Sequence, residues 1–374
     1  MSRMQASSQA SAGGHARGAW QHVPRRGPHH ARVPVTKLRG EVMTQPSVTE
    51  TTTIRGLRHP VSRIALGTWA IGGWMWGGPD DRQAVATIHE ALDLGITLID
   101  TAPVYGFGHS EEIVGQAVAG RRDRVAIATK VGLDWNADHK PFRNTSAARI
   151  RREIEDSLRR LRTDYIDLYQ VHWPDSAIPM EETARTLEDL VREGKVLALG
   201  VSNFTIAQME AFREFAPLST VQPPYNLFER AMEHDILPYA RQHDLAILAY
   251  GPLCRGLLSG KMTAETKFGP DDLRSADPKF QPPRFAHYLQ AVRELQDFAR
   301  ERHGKSLLAL AIRWVLDQGP TIALWGARRP DQIAAVADAT GWQLSAEDRR
   351  EIDAILTRCI PDPVGPEFMA PPGH

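Results

Sequence analysis

The stretch EETARTLEDLVREGKVLALGV, residues 181 to 201, indicates the fold class by itself. Its first part has the character of a helix that ends at Gly194, and the aliphatic run that follows, Leu197 to Val201, is typical of a strand. A helix that passes into a strand through so short a connection is typical of proteins in which helices alternate with parallel strands. The stretch therefore predicts an α/β fold, and the number of such units decides which one.

The same alternation extends outward from this unit, beginning at Arg63. Helix boundaries are readable at Asp80 and Ser146, which are N-cap residues, and at Gly95, which follows a helix. The sequence predicts eight strands: Arg63–Gly67, Thr97–Asp100, Val125–Lys130, Ile166–Val171, Leu197–Val201, Thr220–Gln222, Ala246–Tyr250 and Thr321–Leu324. Eight units over about 280 residues predict a closed (β/α)8 TIM barrel.

The alternative architecture is an open, doubly wound sheet that binds a dinucleotide on a glycine-rich turn. Its first strand would end in a glycine fingerprint, whereas this one ends in Gly67-Thr68-Trp69-Ala70. Ahead of the barrel, Thr51–Ser62 predicts a short hairpin that plugs the N-terminal end. Two long connections, 134–144 and 251–288, follow the third and seventh strands, and such loops shape the site of a barrel.

The composition favours a small-molecule partner. The chain of 374 residues has no formal net charge and a pI near 7.3, which gives no reason to expect binding to nucleic acid or to an anionic membrane surface. No run approaches the roughly 20 apolar residues of a membrane helix. The two cysteines, Cys254 and Cys359, are too few for a disulfide framework and lack the spacing of a zinc site, so we expect a cytoplasmic protein without a metal.

The first 48 residues differ from the rest of the chain. They are rich in small residues and histidine and lack an apolar period, so we interpret them as a disordered extension before a barrel domain at 49–374. A transit peptide is the other interpretation, because the segment is basic and Glu41 is its one acidic residue, but it has no amphipathic stripe. Met43 is a candidate for the true start, a hypothesis that N-terminal sequencing of the native protein tests.

Polar residues stand at the carboxyl ends of three neighbouring predicted strands, where a barrel places its active site. Asp100 ends the second strand, Lys130 ends the third, and His172 follows the fourth. Tyr105 lies in the loop five residues after Asp100. We expect Asp100 to pair with Lys130, and the Lys130 ammonium to stabilise phenolate and so lower the pKa of Tyr105. His172 can donate a hydrogen bond to a carbonyl, so the four suit protonation of an oxygen as hydride reaches carbon.

Each of these residues taken alone has a structural explanation, since a loop tyrosine or a strand-end lysine is more often structural than catalytic. Two other reactions are alternatives for this set of residues. An aldolase would use Lys130 as a Schiff base, although Asp100 beside it favours the protonated amine. A glycosidase is discarded, because the fourth and seventh strands end in His172-Trp173 and Tyr250-Gly251 without a carboxylate pair.

Several segments, in order along the chain, resemble those of the aldo-keto reductases. They are Leu98-Ile-Asp-Thr-Ala-Pro-Val-Tyr-Gly-Phe-Gly-His-Ser-Glu-Glu112, Ala128-Thr-Lys-Val-Gly132, Tyr169-Gln-Val-His-Trp-Pro174 and Gly200-Val-Ser-Asn-Phe204. The resemblance spans Thr52 to Pro372, and the ending from Asp362 is similar to the bacterial general stress protein branch. It implies that Tyr105 is the proton donor, that Lys130 and Asp100 tune it, and that His172 orients the carbonyl.

The resemblance also implies that NADP(H) is bound. Ser202, Asn203 and Gln222 would hold the nicotinamide and Tyr250 would stack on it, although Ser202-Asn203 also looks like a helix N-cap and Tyr250 like a packed aromatic. The other implied cofactor contacts lie in three loops: Thr68, Trp69 and Asp100; Gly251, Pro252, Leu253, Cys254, Arg255, Gly256, Lys261 and Arg274; and Gly326, Ala327, Arg328 and Gln332.

The run Tyr250-Gly-Pro-Leu-Cys-Arg-Gly-Leu-Leu-Ser-Gly-Lys261 resembles the family's loop over the pyrophosphate. The resemblance implies that Arg255, Lys261 and Arg274 lie near its charges, with solvated surface cations as the alternative. After the eighth strand a helix opens whose backbone amides and dipole suit an anion, and Arg328 is predicted to bind the 2'-phosphate. The family often has a Glu-Asn pair at the adenine, where this chain has Ala335-Val336. The assignment of Arg328 predicts a preference for NADP(H), whereas Ala335-Val336 leaves the contacts to the adenine unassigned.

Six of the nine tryptophans follow predicted strand ends, which predicts an aromatic-walled pocket for apolar aldehydes; the alternative is that they seal loops to the barrel rim. They are Trp69, Trp74, Trp76, Trp135, Trp173 and Trp325. Cys254 is interpreted as a packing residue rather than a redox group. The expected function is NADPH-dependent reduction of aldehydes or ketones by a monomer or weak homo-oligomer, in a stress setting. The alternative is a cofactor-sensing module of the same fold with slow turnover.

Overall fold

Eight parallel strands close into a barrel within residues 50–372, the part of the chain that the computed structural model describes. Each strand pairs with the next around the ring and the last pairs with the first. The strands are β1 (Ile64–Gly67), β2 (Leu98–Asp100), β3 (Ala126–Val131), β4 (Ile166–Val171), β5 (Val196–Ser202), β6 (Thr220–Gln222), β7 (Ala246–Ala249) and β8 (Thr321–Gly326). The predicted TIM barrel is confirmed, with strand ends that differ from the predicted ones by at most two residues.

Helices follow the strands along the chain. Their N-caps agree with the sequence where it was readable: Asp80 accepts a hydrogen bond from the Gln83 amide, and Ser146 accepts one from the Arg149 amide. The helices are α1 (Asp81–Asp93), α2 (His109–Ala117), α3 (Ala147–Leu161), α4 (Met180–Arg192), α5 (Ile206–Arg213), α6 (Ile236–Gln242), α7 (Arg284–His303), α8 (Leu307–Leu316), α9 (Pro330–Ile333) and α10 (Ala346–Cys359). None of the helices in residues 50–372 combines the length and apolar character that a membrane crossing needs.

Strand side chains alternate between the barrel interior and the helical layer. Outward residues such as Leu66 and Ile99 share one apolar cluster with helix residues such as Ile88. Inward residues form a second cluster, with members on seven of the eight strands: Ala65, Leu98, Ala128, Leu168, Ala198, Ala246, Leu248, Ile322 and Leu324. The interior is therefore a packed core, and polar residues placed further along the same inward rows emerge at the carboxyl end.

The segment before the barrel confirms the predicted plug. Thr51–Thr52 pairs antiparallel with Val61–Ser62, and Ile54 and Val61 join the inward cluster of the strands. The connection 134–144 is more ordered than the sequence indicated, because Leu133–Trp135 pairs with Pro141–Arg143 in a second hairpin, which we call the β3 hairpin. The predicted disordered extension at 1–48 and the candidate start Met43 lie outside the described residues.

Candidate active site

The four predicted catalytic residues come together at the carboxyl end of the barrel. Lys130 is fully buried, and its Nζ donates to Asp100 Oδ1 at 2.6 Å, to the Thr101 carbonyl at 3.0 Å and to Tyr105 Oη at 3.2 Å. The His172 ring lies edge-on to the Tyr105 ring, with centroids 5.8 Å apart. Three acceptors around one nitrogen fit a charged ammonium, whose three protons are then all used.

Asp100 is held by more partners than the sequence indicated. Its Oδ2 accepts from Gln222 Nε2 at 2.9 Å and from Gln170 Nε2 at 3.3 Å, while Oδ1 accepts from Lys130. Asp100, Lys130 and Gln170 each stand two positions after an inward apolar residue of the same strand, so the strand period directs all three into the barrel. Gln170 was not predicted from the sequence, although a glutamine inside the apolar run of β4 was the signal for it.

The loop that carries Tyr105 is fixed by close backbone contact. Gly106 has a φ of +66°, and a Cβ there would lie 2.2 Å from the Gly72 carbonyl oxygen in the loop after β1. The Trp69 ring stacks on the Tyr105 ring at a centroid distance of 5.9 Å. Tyr105 therefore has a fixed position, and its oxygen accepts from Lys130 while its own O–H proton has no protein acceptor within residues 50–372.

The pKa of Tyr105 contradicts the expectation from sequence. Burial, reinforced by the negative charge of Asp100, raises the pKa of Tyr105 well above its usual value. Burial and the Lys130 charge hold the pKa of His172 well below its usual value, which makes the imidazole neutral. Burial also lowers the pKa of Lys130, against the pull of Asp100 and Glu111. The site therefore keeps Tyr105 protonated instead of favouring phenolate.

Aromatic side chains wall the space beside Tyr105, as predicted. Trp69 packs edge-on against Trp76 at 5.7 Å, and Phe107 contacts both Trp74 at 5.2 Å and Trp135 at 5.5 Å. Trp173 packs in the same apolar cluster as Trp74, Tyr105 and Phe107. The prediction is wrong for Trp325, which is 1% exposed and belongs to the core between the strands and the helices. Its position on β8 directs it outward.

The predicted nicotinamide residues form one hydrogen-bonded group at the ends of three neighbouring strands. Tyr250 Oη donates to Asn203 Oδ1 at 2.9 Å, and Asn203 Nδ2 donates to the His172 carbonyl at 3.0 Å. Ser202 Oγ donates to the Gln222 carbonyl at 2.8 Å. The alternative interpretation of Ser202-Asn203 as a helix N-cap is wrong, because Thr205 caps α5. This group is joined to His172 through Asn203.

Arg255 is not placed as the sequence predicted. It is 7% exposed, and its guanidinium pairs with Glu229 and, at 2.6 Å, with Asp277. Lys279 Nζ lies 2.8 Å from Glu229 Oε1 and donates to the Gly365 carbonyl. We call Glu229, Arg255, Asp277 and Lys279 the buried quartet. Its two cations neutralise its two carboxylates, so Arg255 carries no spare charge for a pyrophosphate.

The residues around Arg255 have an unusual backbone. Cys254, Arg255 and Gly256 all have positive φ, of 46°, 54° and 89°. Left-handed backbone is costly for residues other than glycine and persists where surrounding contacts enforce it. The buried quartet supplies those contacts. Cys254 is fully buried with its pKa raised to about 12, which agrees with the packing interpretation.

The remaining predicted phosphate residues divide by whether their charge is already neutralised. Arg274 makes two hydrogen bonds to the Asp272 carboxylate and lies over the Trp76 ring. Arg328 is half-buried, donates to the Trp76 carbonyl, and has no carboxylate within ion-pair distance in residues 50–372. Lys261 is exposed. Of the predicted phosphate residues, Arg328 and Lys261 are therefore the two without a carboxylate within 4 Å among residues 50–372.

The predicted anion site on backbone amides after β8 is wrong. Gln332 Oε1 accepts from the amides of Arg328, at 2.9 Å, and Arg329, at 3.2 Å, so a side chain of the protein already occupies them. The helix that follows, α9, has only four residues, which leaves little dipole. Gln332 consequently acts here as a capping residue of the loop.

The ends of β7 and β8 leave room for an extended ligand. Gly326 is the exposed last residue of β8, and a Cβ added there or at Gly251 would meet no atom within 4 Å. The neighbouring Pro252, Ala327 and Thr68 are buried, and Thr68 Oγ1 donates to the Asp100 carbonyl. Open space above two glycines, with Arg328 beside it, fits the diphosphate of a dinucleotide. Within residues 50–372 no group of His, Cys, Asp or Glu side chains is placed to hold a metal ion.

Comparison with known protein families gives a match over most of the described residues. The model described as "Aldo/keto reductase family" matches residues 63–357. The aldo-keto reductase YhdN of Bacillus subtilis is 59% identical over 326 residues, covering 86% of this chain and 98% of that protein. An NADH-specific methylglyoxal reductase of Escherichia coli is 36% identical over 317 residues, covering 80% of this chain and 96% of that protein.

Solved structures give the same result. The glycerol dehydrogenase AKR11B4 from Gluconobacter oxydans is 60% identical with a TM-score of 0.79, covering 86% of this chain and 99% of that one. An aldo/keto reductase from Klebsiella pneumoniae, solved in complex with NADP and acetate, is 32% identical with a TM-score of 0.66, covering 82% of this chain and 95% of that one. Sequence and structure comparisons therefore agree on the same kind of protein.

Proposed function

Because this chain belongs to the aldo/keto reductase family of oxidoreductases, we propose that it reduces aldehydes and ketones to alcohols with NADPH and that Tyr105 donates the proton. The observation that carries the proposal is the hydrogen-bonding of Tyr105. Its oxygen accepts from Lys130 Nζ at 3.2 Å, while its own proton is left for a substrate. A protonated phenol beside an ammonium is an acid that can give up its proton to an oxygen gaining negative charge.

Each neighbour of Tyr105 has a separate role in this proposal. The Lys130 ammonium stabilises the phenolate that forms when Tyr105 gives its proton away. Asp100, held by Gln170 and Gln222, fixes Lys130 and compensates its burial. Neutral His172 donates a hydrogen bond to the substrate carbonyl and orients it toward Tyr105. Water returns a proton to Tyr105 after the alcohol leaves, so the residue is ready for another turnover.

NADPH, when bound, supplies the hydride that the carbonyl carbon receives. Asn203, Ser202 and Gln222 would hold its carboxamide, and Tyr250 would lie against the nicotinamide ring. Arg328 would bind the 2'-phosphate, since its guanidinium lacks a carboxylate partner in residues 50–372. Gly251 and Gly326 would leave room for the diphosphate. We also propose that the protein works in the cytoplasm, as a monomer or a weak homo-oligomer.

The Schiff-base aldolase fits the same residues less well. A lysine that attacks a carbonyl needs a free lone pair on its nitrogen. Lys130 Nζ has three acceptors around it, and one of them is the Asp100 carboxylate at 2.6 Å. Forming a Schiff base would break this set and leave Asp100 buried without its cation, which is costly. Proton tuning is therefore the better role for Lys130.

The experiment that tests the proposal is the loss of NADPH absorbance by the purified protein with a panel of aldehydes and ketones, run beside NADH. We expect oxidation that depends on the carbonyl compound and favours NADPH. Tight NADPH binding without turnover on any carbonyl would contradict the enzyme and support the sensor of the same fold. Equal rates with NADH and NADPH would contradict the role given to Arg328 but would not contradict the proposed reductase activity.

A further inference from the structure

The arginines on the loops at the carboxyl end of the barrel differ in what neutralises them. Arg255, Arg274 and Arg329 each pair with a carboxylate. Arg143 and Arg328 are half-buried and have no carboxylate within 4 Å among residues 50–372. A half-buried guanidinium without a carboxylate is expensive to desolvate unless a ligand neutralises it. Arg328 is explained by the cofactor phosphate proposed above, whereas Arg143 is not.

Arg143 faces the substrate side of the site. It ends the β3 hairpin, where it stands directly opposite Leu133, and cross-strand partners of a hairpin point to the same face. Leu133 is buried against Ala102 and Val104, in the cluster that also contains Tyr105, Trp74, Phe107 and Trp173. The same face of the hairpin therefore directs Arg143 towards the aromatic wall.

The contacts of the Arg143 guanidinium confirm this direction. Its centre lies 5.5 Å from the Trp173 ring, next to His172 in the chain, and Nη1 donates to the Pro174 carbonyl at 3.1 Å. Nε is buried and has no hydrogen-bond partner. Asp175, one residue beyond Pro174, uses its carboxylate on the Thr145 and Ala177 amides instead. With Nη1 anchored in this way, the second terminal nitrogen, Nη2, has no protein hydrogen-bond partner within residues 50–372, and this charged donor can bind an anionic group.

We propose that Arg143 binds an anionic group on the substrate, so that the preferred substrates are carbonyl compounds that carry a carboxylate or a phosphate a few bonds from the carbonyl. The inference rests on the proposed reductase and changes the apolar preference expected from the tryptophans. The aromatic wall would cover the carbon chain of such a substrate, and the guanidinium would hold its charged end. Arg143 is a specificity-determining residue in this arrangement, because the reacting atoms remain with Tyr105 and His172.

The test compares matched aldehydes with and without a charge. The values of kcat/KM for 4-oxobutanoate, its methyl ester and butanal are measured at saturating NADPH with the natural protein, Arg143→Gln, Arg143→Lys and the control Lys140→Gln. Lys140 is an exposed cation in the turn of the same hairpin. Glyceraldehyde 3-phosphate against glyceraldehyde provides the phosphate arm of the comparison. The melting temperature of each variant is measured to confirm that it is folded.

We expect the natural protein to prefer each anionic aldehyde over its neutral match by about tenfold or more, as hydrogen bonds between charged groups allow. Arg143→Gln should remove that preference and leave kcat/KM for butanal within about twofold. Arg143→Lys should retain part of it, since the charge stays but the planar fork is lost. Lys140→Gln should change neither value. If the ratio of kcat/KM between anionic and neutral aldehyde is larger for the carboxylate pair than for the phosphate pair, the group bound is a carboxylate; the reverse identifies a phosphate.

Two results would overturn the inference, and they are distinguishable from failure of the reductase itself. Turnover of butanal and 4-oxobutanoate with equal kcat/KM in the natural protein would remove the anionic preference while leaving the reductase intact. A preference that survives unchanged in Arg143→Gln would assign it to another residue. Absence of turnover with every aldehyde would overturn the reductase, and with it the role of Arg143.

Discussion

Two clusters of buried charge lie at the carboxyl end of the barrel, and they differ in what their charges face. In the first, Lys130 neutralises Asp100 and still donates to Tyr105, whose proton has no acceptor within residues 50–372. In the second, the buried quartet, Arg255 and Lys279 face Glu229 and Asp277. The first cluster is incomplete without a substrate, whereas the second is complete in itself. Under the proposed function, this difference separates a site that performs chemistry from a cluster that holds a loop.

A cation that lies in a predicted cofactor loop is not thereby a ligand of the cofactor. Arg255 and Arg328 both lie in loops that the sequence assigned to the cofactor, and both are arginines. The Arg255 guanidinium forms ion pairs with two carboxylates, whereas the Arg328 guanidinium donates a hydrogen bond to the main-chain carbonyl of Trp76 and forms no ion pair within residues 50–372. The neutralising residues decide the role, and substitutions at the two arginines should therefore have different consequences.

The largest effect on stability should come from Arg255→Met. Removing the guanidinium leaves Glu229 and Asp277 with only Lys279, and an uncompensated buried charge costs about 3–5 kcal/mol. We expect that loss in the free energy of unfolding, measured by denaturant titration. Lys267→Met, an exposed cation in the same loop, is the control and should stay within about 0.5 kcal/mol of the natural protein. If Arg255→Met were as stable as the natural protein and had lost only affinity for NADPH, the result would support the original prediction that Arg255 binds the pyrophosphate.

A smaller and more selective effect is expected at Arg328. Arg328→Ala should weaken NADPH by about 10- to 100-fold, since a hydrogen bond between charged groups contributes roughly 1.5–3 kcal/mol. NADH, which lacks the 2'-phosphate, should be affected much less. The dissociation constants are measured by fluorescence titration, with Arg329→Ala as the control, because Arg329 already pairs with Asp331. Equal losses for both cofactors would contradict the placement of Arg328.

The site residues at the strand ends were predictable for two reasons. Side chains alternate between the two faces of a strand, and the carboxyl ends of all eight strands lie at the same end of the barrel. Asp100, Lys130 and Gln222 follow from that rule, and Gln170 could have been found by it. The partners of Arg255 could not be found this way. Glu229 and Asp277 lie 26 and 22 residues away in irregular segments, where no period relates sequence to position. A loop is specified by tertiary contacts, which the pattern of a single segment does not contain.

The other wrong predictions concern the direction in which a side chain points. Gln332 occupies two amides because it lies four residues after Arg328 in a short capping turn, a detail that a predicted helix end does not distinguish from an open one. Trp325 follows the outward row of β8, so its place at a strand end did not bring it to the pocket. The raised pKa of Tyr105 reflects how completely the site is buried, which composition alone cannot give.

The smallest effect predicted is an absence of change with pH. The pKa of Tyr105 lies above its ordinary value of 10, so the proton donor stays protonated up to that pH, and the pKa of His172 lies below its ordinary 6.5, so the imidazole stays neutral above it. Burial also lowers the pKa of Lys130, whose ammonium supports Tyr105, so we expect kcat/KM for carbonyl reduction to stay flat, within about twofold, from pH 6.5 upward until Lys130 loses its proton. A decline in Tyr105 protonation near neutral pH, followed by the ultraviolet absorbance of tyrosinate, would contradict the raised pKa of Tyr105.

The most direct measurement of the central claim is the pair of values kcat/KM and NADPH dissociation constant for Tyr105→Phe. Tyr165→Phe is the matched control, because Tyr165 lies between Arg58 and Arg122, just before β4 at the amino end of the barrel. We predict that Tyr105→Phe loses about 10²–10⁴-fold in kcat/KM, as loss of a general acid does, and binds NADPH as the natural protein does. Turnover near the natural rate in Tyr105→Phe would contradict its assignment as the proton donor.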